Sequence, residues 1–184
     1  MQKVKLLAEF IKKPGQVGTV FPSSPHLAAA MTSEIRLEEA ASAVEVGPGT
    51  GAFTPEILRK LRPGARYFAV ELNRTMFENF REKFPGLKIY QEDASFLLEI
   101  LRIEKMHSVD VIISGLPWAV FKPSLQDKLI NALYGSLSEK GRLTTYAYCQ
   151  GSFLPSGLRL KRLLKDRFRT VSTSGIIWKN IPPA

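Results

Sequence analysis

From residue 42 onward, short runs of β-branched and apolar residues alternate with amphipathic helical stretches, and this alternation leaves few possible folds. Strands are predicted at residues 42–46, 67–71, 87–91, 109–114, 143–148 and 169–177. Helices are predicted near residues 53–62, 74–83, 94–104, 123–136 and 156–166. Strands separated by such helices pair in parallel through right-handed βαβ units. The sequence therefore predicts an α/β protein with a doubly wound, mostly parallel sheet and helices on both faces.

The length and residue usage limit the class and the location of the protein. With 184 residues, 45% of them hydrophobic, the chain is large enough to bury a core, and we expect residues 1–184 to form a single domain. Cys149 is the only cysteine, so no internal disulfide forms and a reducing compartment fits. No run approaches the roughly 18 apolar residues of a membrane span, and the N-terminus lacks a secretory signal. We therefore expect a cytoplasmic protein, and the lack of a Cys and His cluster predicts no metal site.

The excess positive charge lies at the two ends of the sequence. The net charge is +9, of which residues 1–16 carry +3 and residues 151–184 carry +6, while residues 17–150 are neutral. Residues 1–16 also predict a basic amphipathic helix appended to the domain. Such a helix is typical of a segment that lies in a membrane interface, although its apolar stripe would also fit against the protein's own sheet. We expect an anionic partner, either lipid headgroups or nucleic acid.

A glycine-rich loop with a G-x-G-x-G spacing follows the first predicted strand. Glycine lets the backbone turn sharply and approach a ligand without a Cβ atom, but the spacing is neither that of nicotinamide-binding proteins nor that of a P-loop. Acidic residues end or follow the next two strands, where carboxylates can meet ribose hydroxyls and an adenine amino group. A tight turn, a helix cap or a solvated acid would explain each feature alone. Together they predict a nucleotide-like ligand bound by Gly47, Gly49, Gly51, Glu71 and Asp93 with the adjoining Ala94.

This arrangement resembles the class I S-adenosylmethionine-dependent methyltransferases, from about residue 15 over nearly the whole chain. Glu45 and the three glycines match the first motif of that family, Glu71 its ribose-binding acid and Asp93 its adenine-contacting acid. The resemblance implies S-adenosylmethionine as cofactor, with its aminoacyl end along the glycine loop and Ser114 contributing to its site. It also implies a Rossmann-like sheet of seven strands, one of them antiparallel.

The loop after the fourth predicted strand bears on the methyl acceptor. Ribosomal RNA adenine dimethyltransferases carry Asn-Leu-Pro-Tyr there, in which the Asn accepts a hydrogen bond from the target amino group and the aromatic ring stacks on the flipped base. This chain has Gly115 at the Asn position and keeps an aromatic residue, Trp118. A glycine has no side chain to accept that bond, so the loop counts against adenine as acceptor.

The chain resembles more strongly the bacterial phospholipid N-methyltransferases, which convert phosphatidylethanolamine towards phosphatidylcholine. The shared features are the lead-in at residues 14–31, the Ser-x-Leu-Pro loop that begins at Ser114, a strand-five tyrosine at Tyr148 or, with a shifted register, Tyr146, and the closing residues 178–184. In that family the chain continues past the closing motif into a last strand. The resemblance implies a phospholipid amine as substrate.

Trp118 and Tyr148 are the candidate catalytic residues. They lie at the ends of adjacent predicted strands, and aromatic faces suit the cationic products of amine methylation, at roughly 0.5–2 kcal/mol each. A packed core aromatic is the alternative interpretation of either residue.

The hypothesis is an N-methyltransferase peripherally associated with an anionic membrane. Its alternatives are an RNA adenine N6-methyltransferase, whose basic ends would contact phosphates, and a binding module that keeps the cofactor fold without catalysis. We expect lipid rather than nucleic acid, because the N-terminal basic segment is also amphipathic.

Overall fold

Apolar strands and capped helices alternate along residues 23–184, the part of the chain that the computed structural model describes. The strands are β1 (Ser42–Val46), β2 (Arg66–Val70), β3 (Ile89–Tyr90), β4 (Val109–Ser114) and β5 (Leu137–Thr145). The helices are α1 (Pro25–Met31), α2 (Thr54–Lys60), α3 (Arg74–Lys83), α4 (Leu97–Ile103), α5 (Pro123–Ser136), α6 (Cys149–Ser152) and α7 (Pro155–Arg167). Short 3-10 helices cover Ala94–Phe96 and Trp118–Val120. The predicted helix within residues 1–16 lies outside the described residues, and the single domain stays a prediction.

Local sequence explains where several helices begin. The Ser24 side chain accepts a hydrogen bond from the Leu27 amide, and Pro25 starts α1 at a position where its missing N–H costs nothing. The Asn73 side chain caps α3 in the same way, through the amide of Met76. Prolines also stand in the first turns of α2, α5 and α7.

All pairings in the described sheet are parallel, and the strand order is β3-β2-β1-β4-β5. The chain builds outward from β1 to β3 and then crosses to the other side of β1 to add β4 and β5. The order therefore reverses between β1 and β4, and a ligand of such a sheet binds at this point.

Each face of the sheet packs on its own apolar core. On one face, side chains of β1, β2 and β4 pack against α4, α5 and α7. Phe68, Ile112 and Leu133 are among the most buried residues of this core. On the other face, strand side chains pack against α1 and α2 through residues such as Met31 and Ile57. This confirms the predicted α/β, Rossmann-like, doubly wound architecture.

The described sheet differs from the predicted strands in two respects. Residues 169–177 form no strand, because their alternating pattern has no face to bury: Ile176 is 49% exposed and only Ile177 packs on a core. The resemblance implied a sheet of seven strands, one of them antiparallel, whereas residues 23–184 form a sheet of five parallel strands.

The fifth strand begins earlier than predicted. Leu137 pairs with Val109, but Arg142 is the partner of Val111, so a bulge interrupts β5 between these pairs. The polar residues 138–141 read as a turn in the sequence, which is why the prediction starts at residue 143. As β5 ends at Thr145, both Tyr146 and Tyr148 follow the strand.

Candidate functional site

The strands end at one level, so the residues after them meet at a single edge. Val46 of β1 lies opposite Val70 and Ser114, Val70 lies opposite Tyr90, and Ser114 lies opposite Thr145. The glycine loop and the loop after β4 are neighbours here, because the Gly115 amide donates to the Val46 carbonyl at 2.8 Å. The structure thus brings the predicted site residues to the carboxyl edge of the sheet.

The glycine loop depends on backbone conformations that favour glycine. Gly47, Gly49 and Gly51 have φ angles of +65°, +54° and +69°. A Cβ atom at Gly51 would also lie 2.4 Å from the ring of Phe84, which packs against the loop. At Gly49 no described atom comes within 4 Å of the corresponding position, so this side of the loop is open to a ligand.

Glu71 fixes the glycine loop from the end of β2. Its side chain is 8% exposed, with Oε2 accepting from the Gly49 amide at 3.1 Å and Oε1 from the Asn73 amide at 2.8 Å. Burial raises the pKa of Glu71, while the hydrogen bonds from these amides lower it. Each carboxylate oxygen retains a further lone pair, which a ribose hydroxyl can use.

Glu45 is fully buried beneath the loop. Its Oε2 accepts hydrogen bonds from the hydroxyls of Thr54, at 2.8 Å, and Tyr67, at 2.6 Å. Its Oε1 has no partner among the described residues. Burial raises the pKa of Glu45 to about 7, against the lowering effect of the two hydroxyls. A buried oxygen without a partner is costly unless a ligand donates to it.

Asp93 lies after β3 and begins the first 3-10 helix. Its Oδ1 accepts a hydrogen bond from the Ser95 amide at 2.8 Å. Asp93 therefore caps this helix, which is one of the interpretations that the sequence left open for this acid. Its Oδ2 is 3.9 Å from the Lys128 ammonium, and the side chain is 29% exposed and therefore reachable by a ligand. Ala94 beside it is buried at 7% exposure.

The loop after β4 is held close to the glycine loop. Ser114 is buried, and its carbonyl accepts from the Thr145 hydroxyl at 3.1 Å. A Cβ atom at Gly115 would lie 2.4 Å from the Gly47 carbonyl oxygen. Real Cβ atoms do not approach backbone oxygens so closely, so this contact requires glycine.

The two candidate catalytic aromatics lie in different surroundings. Trp118 is 2% exposed within the core, and its indole N–H donates to the Thr145 hydroxyl at 2.8 Å. That packing supports the alternative of a core aromatic, and a catalytic role for Trp118 stays a prediction. Tyr148 is half-buried, and its ring meets that of Tyr146 edge to face at 5.3 Å.

Several residues of this edge were missed by the sequence interpretation. Tyr67 and Thr54, which hold Glu45, were not singled out, although the register gives a usable signal: Glu45 lies opposite Ala69, so Tyr67 shares its face. Asn180, which is 1% exposed, lies in the closing motif, where the sequence interpretation assigned no role to its side chain.

A family model described as a methyltransferase domain matches residues 43–141, more than half of the chain. The chain belongs to the methyltransferase family. The matched region contains the glycine loop, both following acids and the loop after β4.

Among the proteins to which this methyltransferase is similar are two curated proteins and one solved structure. It is 29% identical over 138 residues to an ornithine lipid N-methyltransferase of Singulisphaera acidiphila, which covers 73% of this chain and 72% of that protein. It is 33% identical over 91 residues to a ribosomal RNA small subunit methyltransferase A of Parasynechococcus marenigrum, covering 49% of this chain but only 29% of that protein. The O-methyltransferase TomG of Streptomyces achromogenes, solved with S-adenosylmethionine, is 15% identical with a TM-score of 0.65, covering 94% of this chain and 81% of that one. This last likeness shows the fold.

The cofactor of the methyltransferase is S-adenosylmethionine. The site suits it in three respects: the open side of Gly49, the unpartnered buried oxygen of Glu45 and the spare lone pairs of Glu71. The individual contacts of Glu45, Gly47, Gly49, Gly51, Glu71, Asp93, Ala94 and Ser114 with the cofactor stay predictions.

The described residues contain neither a metal-binding cluster nor a membrane-spanning helix. Within residues 23–184, no group of three or more His, Cys, Asp and Glu side chains could hold a metal ion. No helix in the same range combines the length and apolar character needed to cross a bilayer.

Proposed function

We propose that this methyltransferase transfers methyl groups to the amine of a phospholipid headgroup, phosphatidylethanolamine, at an anionic membrane surface. The observation that carries the proposal is the packing of Gly115 against the Gly47 carbonyl oxygen. An asparagine there would have to displace the glycine loop, so the adenine-binding side chain of the RNA dimethyltransferases does not fit this backbone. The backbone is therefore compatible with an acceptor that does not depend on this asparagine, and a lipid amine is such an acceptor.

The relatives support the same class of acceptor. The chain spans most of the ornithine lipid N-methyltransferase but less than a third of the ribosomal RNA methyltransferase to which it is similar. The relative is by name an N-methyltransferase of a lipid, which is the class of reaction proposed here for this chain.

The chemistry asks the protein mainly for positioning. Held by the glycine loop and Glu71, the cofactor would supply an electrophilic methyl group carried on a sulfonium sulfur. The residues of this chain must hold a neutral amine in line with that methyl group, and accurate positioning of this kind accounts for much of the rate of such reactions.

Aromatic rings after β5 form the wall that we assign to the acceptor. Tyr146 and Tyr148 follow Thr145 at the carboxyl edge, and Phe53, which comes just after the glycine loop, packs edge to face on Tyr146 at 5.8 Å. The wall is therefore continuous with the cofactor loop. Ring faces stabilise a methylated ammonium by roughly 0.5–2 kcal/mol each.

The basic residues of α7 support docking on an anionic surface. Arg159 is occupied by a two-bond contact with Asp127, at 2.9 and 2.8 Å. Lys161, Arg162 and Lys165 are exposed. Each exposed cation near an anionic leaflet contributes about 1 kcal/mol, so several together give reversible binding.

A labelled-methyl assay tests the proposal. The protein is incubated with methyl-labelled cofactor and vesicles of phosphatidylethanolamine mixed with an anionic lipid. Phosphatidylcholine replaces phosphatidylethanolamine in the control vesicles, because its nitrogen is already fully methylated. We expect label on the ethanolamine nitrogen in the first vesicles and none in the second. Equal label in both, or none in either while the cofactor binds, would contradict a phosphatidylethanolamine acceptor.

A further inference from the structure

Asn180 is buried in a segment whose neighbours are exposed. It is 1% exposed, whereas Trp178 and Ile181 on either side are 73% and 62% exposed. Removing an amide side chain from water is unfavourable unless its donor and acceptor find partners. An asparagine buried in irregular backbone therefore marks a position where the chain is held in place.

Both ends of the Asn180 amide are paired. Oδ1 accepts from the backbone N–H of Ser24 at 2.8 Å, and Nδ2 donates to the carbonyl of Pro182 at 2.7 Å. A backbone N–H only donates and a carbonyl only accepts, so the chemistry fixes the orientation of the amide. One side chain thereby joins two segments that are 156 residues apart in sequence.

The same segment is attached to the chain beyond β5. The Cys149 amide donates to the Pro183 carbonyl at 2.9 Å, and the Ile177 amide donates to the Ala184 carbonyl at 2.7 Å. We call residues 177–184 the clasp. Its first and last residues pack on the core that contains α1, so the clasp connects the start of α1 to the segment after β5.

The two attachment points flank the tyrosine wall. Cys149 directly follows Tyr148, and Ser24 caps α1, which packs on the same core as Tyr146. The Tyr146 ring packs edge to face on the rings of both Tyr148 and Phe53. A shift of the clasp would therefore move both tyrosines relative to the glycine loop.

We propose that Asn180 is a positioning residue for the methyl acceptor: by closing the clasp onto Ser24, it holds the wall of Tyr146 and Tyr148 at the carboxyl edge of the sheet. The assignment of the wall to the acceptor rests on the proposed function. Asn180 itself touches neither cofactor nor acceptor and acts through the backbone that it holds.

The kinetic test compares Asn180→Ala with Asn131→Ala, which removes an exposed asparagine of α5. Losing the hydrogen bond that ties the clasp to Ser24 and the one within the clasp to Pro182 should raise the KM for phosphatidylethanolamine vesicles about tenfold and leave the cofactor Kd unchanged. Asn131→Ala should change neither. An unchanged KM in Asn180→Ala would overturn the proposal.

A second variant separates positioning from general loss of the fold. Asn180→Asp keeps an acceptor for the Ser24 amide but loses the donor to Pro182, so its KM should lie between those of the parent and Asn180→Ala. If Asn180→Ala does not fold, the Asn180→Asp variant decides: a raised KM with unchanged cofactor Kd supports the proposal, and parallel changes in both overturn it.

A readout independent of the acceptor uses Cys149, the only thiol of the chain. Opening the clasp frees the Cys149 backbone, so a maleimide should label Asn180→Ala about tenfold faster than the parent, with Asn131→Ala as control. If the parent methylates no lipid, the proposed function fails and the labelling rate still judges the clasp. Faster labelling supports it, and an unchanged rate overturns it.

Discussion

Glu71 and Glu45 are both buried acids at the end of the first two strands, but their partners differ. Glu71 accepts from backbone amides, one of them in the glycine loop, whereas Glu45 accepts from two hydroxyls and leaves one oxygen without a described partner. We infer that Glu71 shapes the loop and offers lone pairs to the ribose, while Glu45 binds the hydroxyls of Thr54 and Tyr67 beneath the loop.

Replacing Glu71 by Ala should weaken cofactor binding by roughly a hundredfold, since a hydrogen bond to a charged acceptor contributes about 1.5–3 kcal/mol. Titration calorimetry measures this affinity. Glu78→Ala serves as the matched control, because Glu78 is an exposed glutamate paired with Arg74 within α3. Similar cofactor affinities in the two variants would remove Glu71 from the ribose site.

Glu45 makes stability depend on pH. In the unfolded chain it ionises near pH 4.5, but in the folded protein burial raises its pKa to about 7. The folded state therefore binds more protons in this window, and the free energy of unfolding falls as the pH rises from about 4.5 to above 7, by on the order of 3 kcal/mol. Glu45→Gln should flatten this slope in urea unfolding curves. Part of the slope should persist, because burial also raises the pKa of Glu71. The same slope in the variant and the parent would show that Glu45 is not its source.

At the scale of elements, the level ends of β1 and β4 bring two loops into direct contact. Gly115 donates its amide to Val46 and lies against the Gly47 carbonyl, so the loop that we assign to the acceptor and the loop for the cofactor touch through backbone atoms. A change in one loop must displace the other.

Gly115→Ala should therefore cost about 1–3 kcal/mol of unfolding free energy and also weaken cofactor binding. Gly86→Ala is the matched control, because its added methyl group would meet no described atom within 4 Å. Urea unfolding and calorimetry measure the two effects. If Gly115→Ala behaves like Gly86→Ala in both, the two loops are not in contact and the argument against an adenine acceptor weakens.

Much of the sheet could be predicted because its strands are continuous apolar runs. The bounds of β1 and β4 agree with the prediction, as do those of α3 and α5, since buried strands and amphipathic helices have clear periods. The bulge in β5 and the irregular residues 169–177 could not be predicted, because both depend on which partner strand or face is available. The clasp could not be predicted either, since the hydrogen bond that closes it joins Ser24 and Asn180, which are 156 residues apart.

At the scale of the whole molecule, the excess positive charge and the cofactor site lie in different parts of the chain. The neutral stretch of residues 17–150 contains the sheet and the cofactor loops, while the excess cations of the described chain lie on α7 and after it. We therefore expect membrane docking to be separable from cofactor binding.

Reversing two charges on α7 tests this separation. Lys161→Glu with Lys165→Glu should reduce sedimentation with anionic vesicles about tenfold or more, as each cation contributes about 1 kcal/mol, and should leave the cofactor Kd unchanged. Arg62→Glu with Arg102→Glu changes the net charge equally at exposed sites on other elements. An equal loss in both pairs would mean that net charge, and not α7, drives docking.

The choice between lipid and RNA can be made in one vessel. Ribosomal RNA and phosphatidylethanolamine vesicles compete for a limiting amount of labelled cofactor, and the lipid and RNA fractions are separated and counted. We predict label in N-methylated lipid and background label in RNA, with the lipid label lost in Glu71→Ala. Label in RNA adenine without label in lipid would contradict a phospholipid N-methyltransferase.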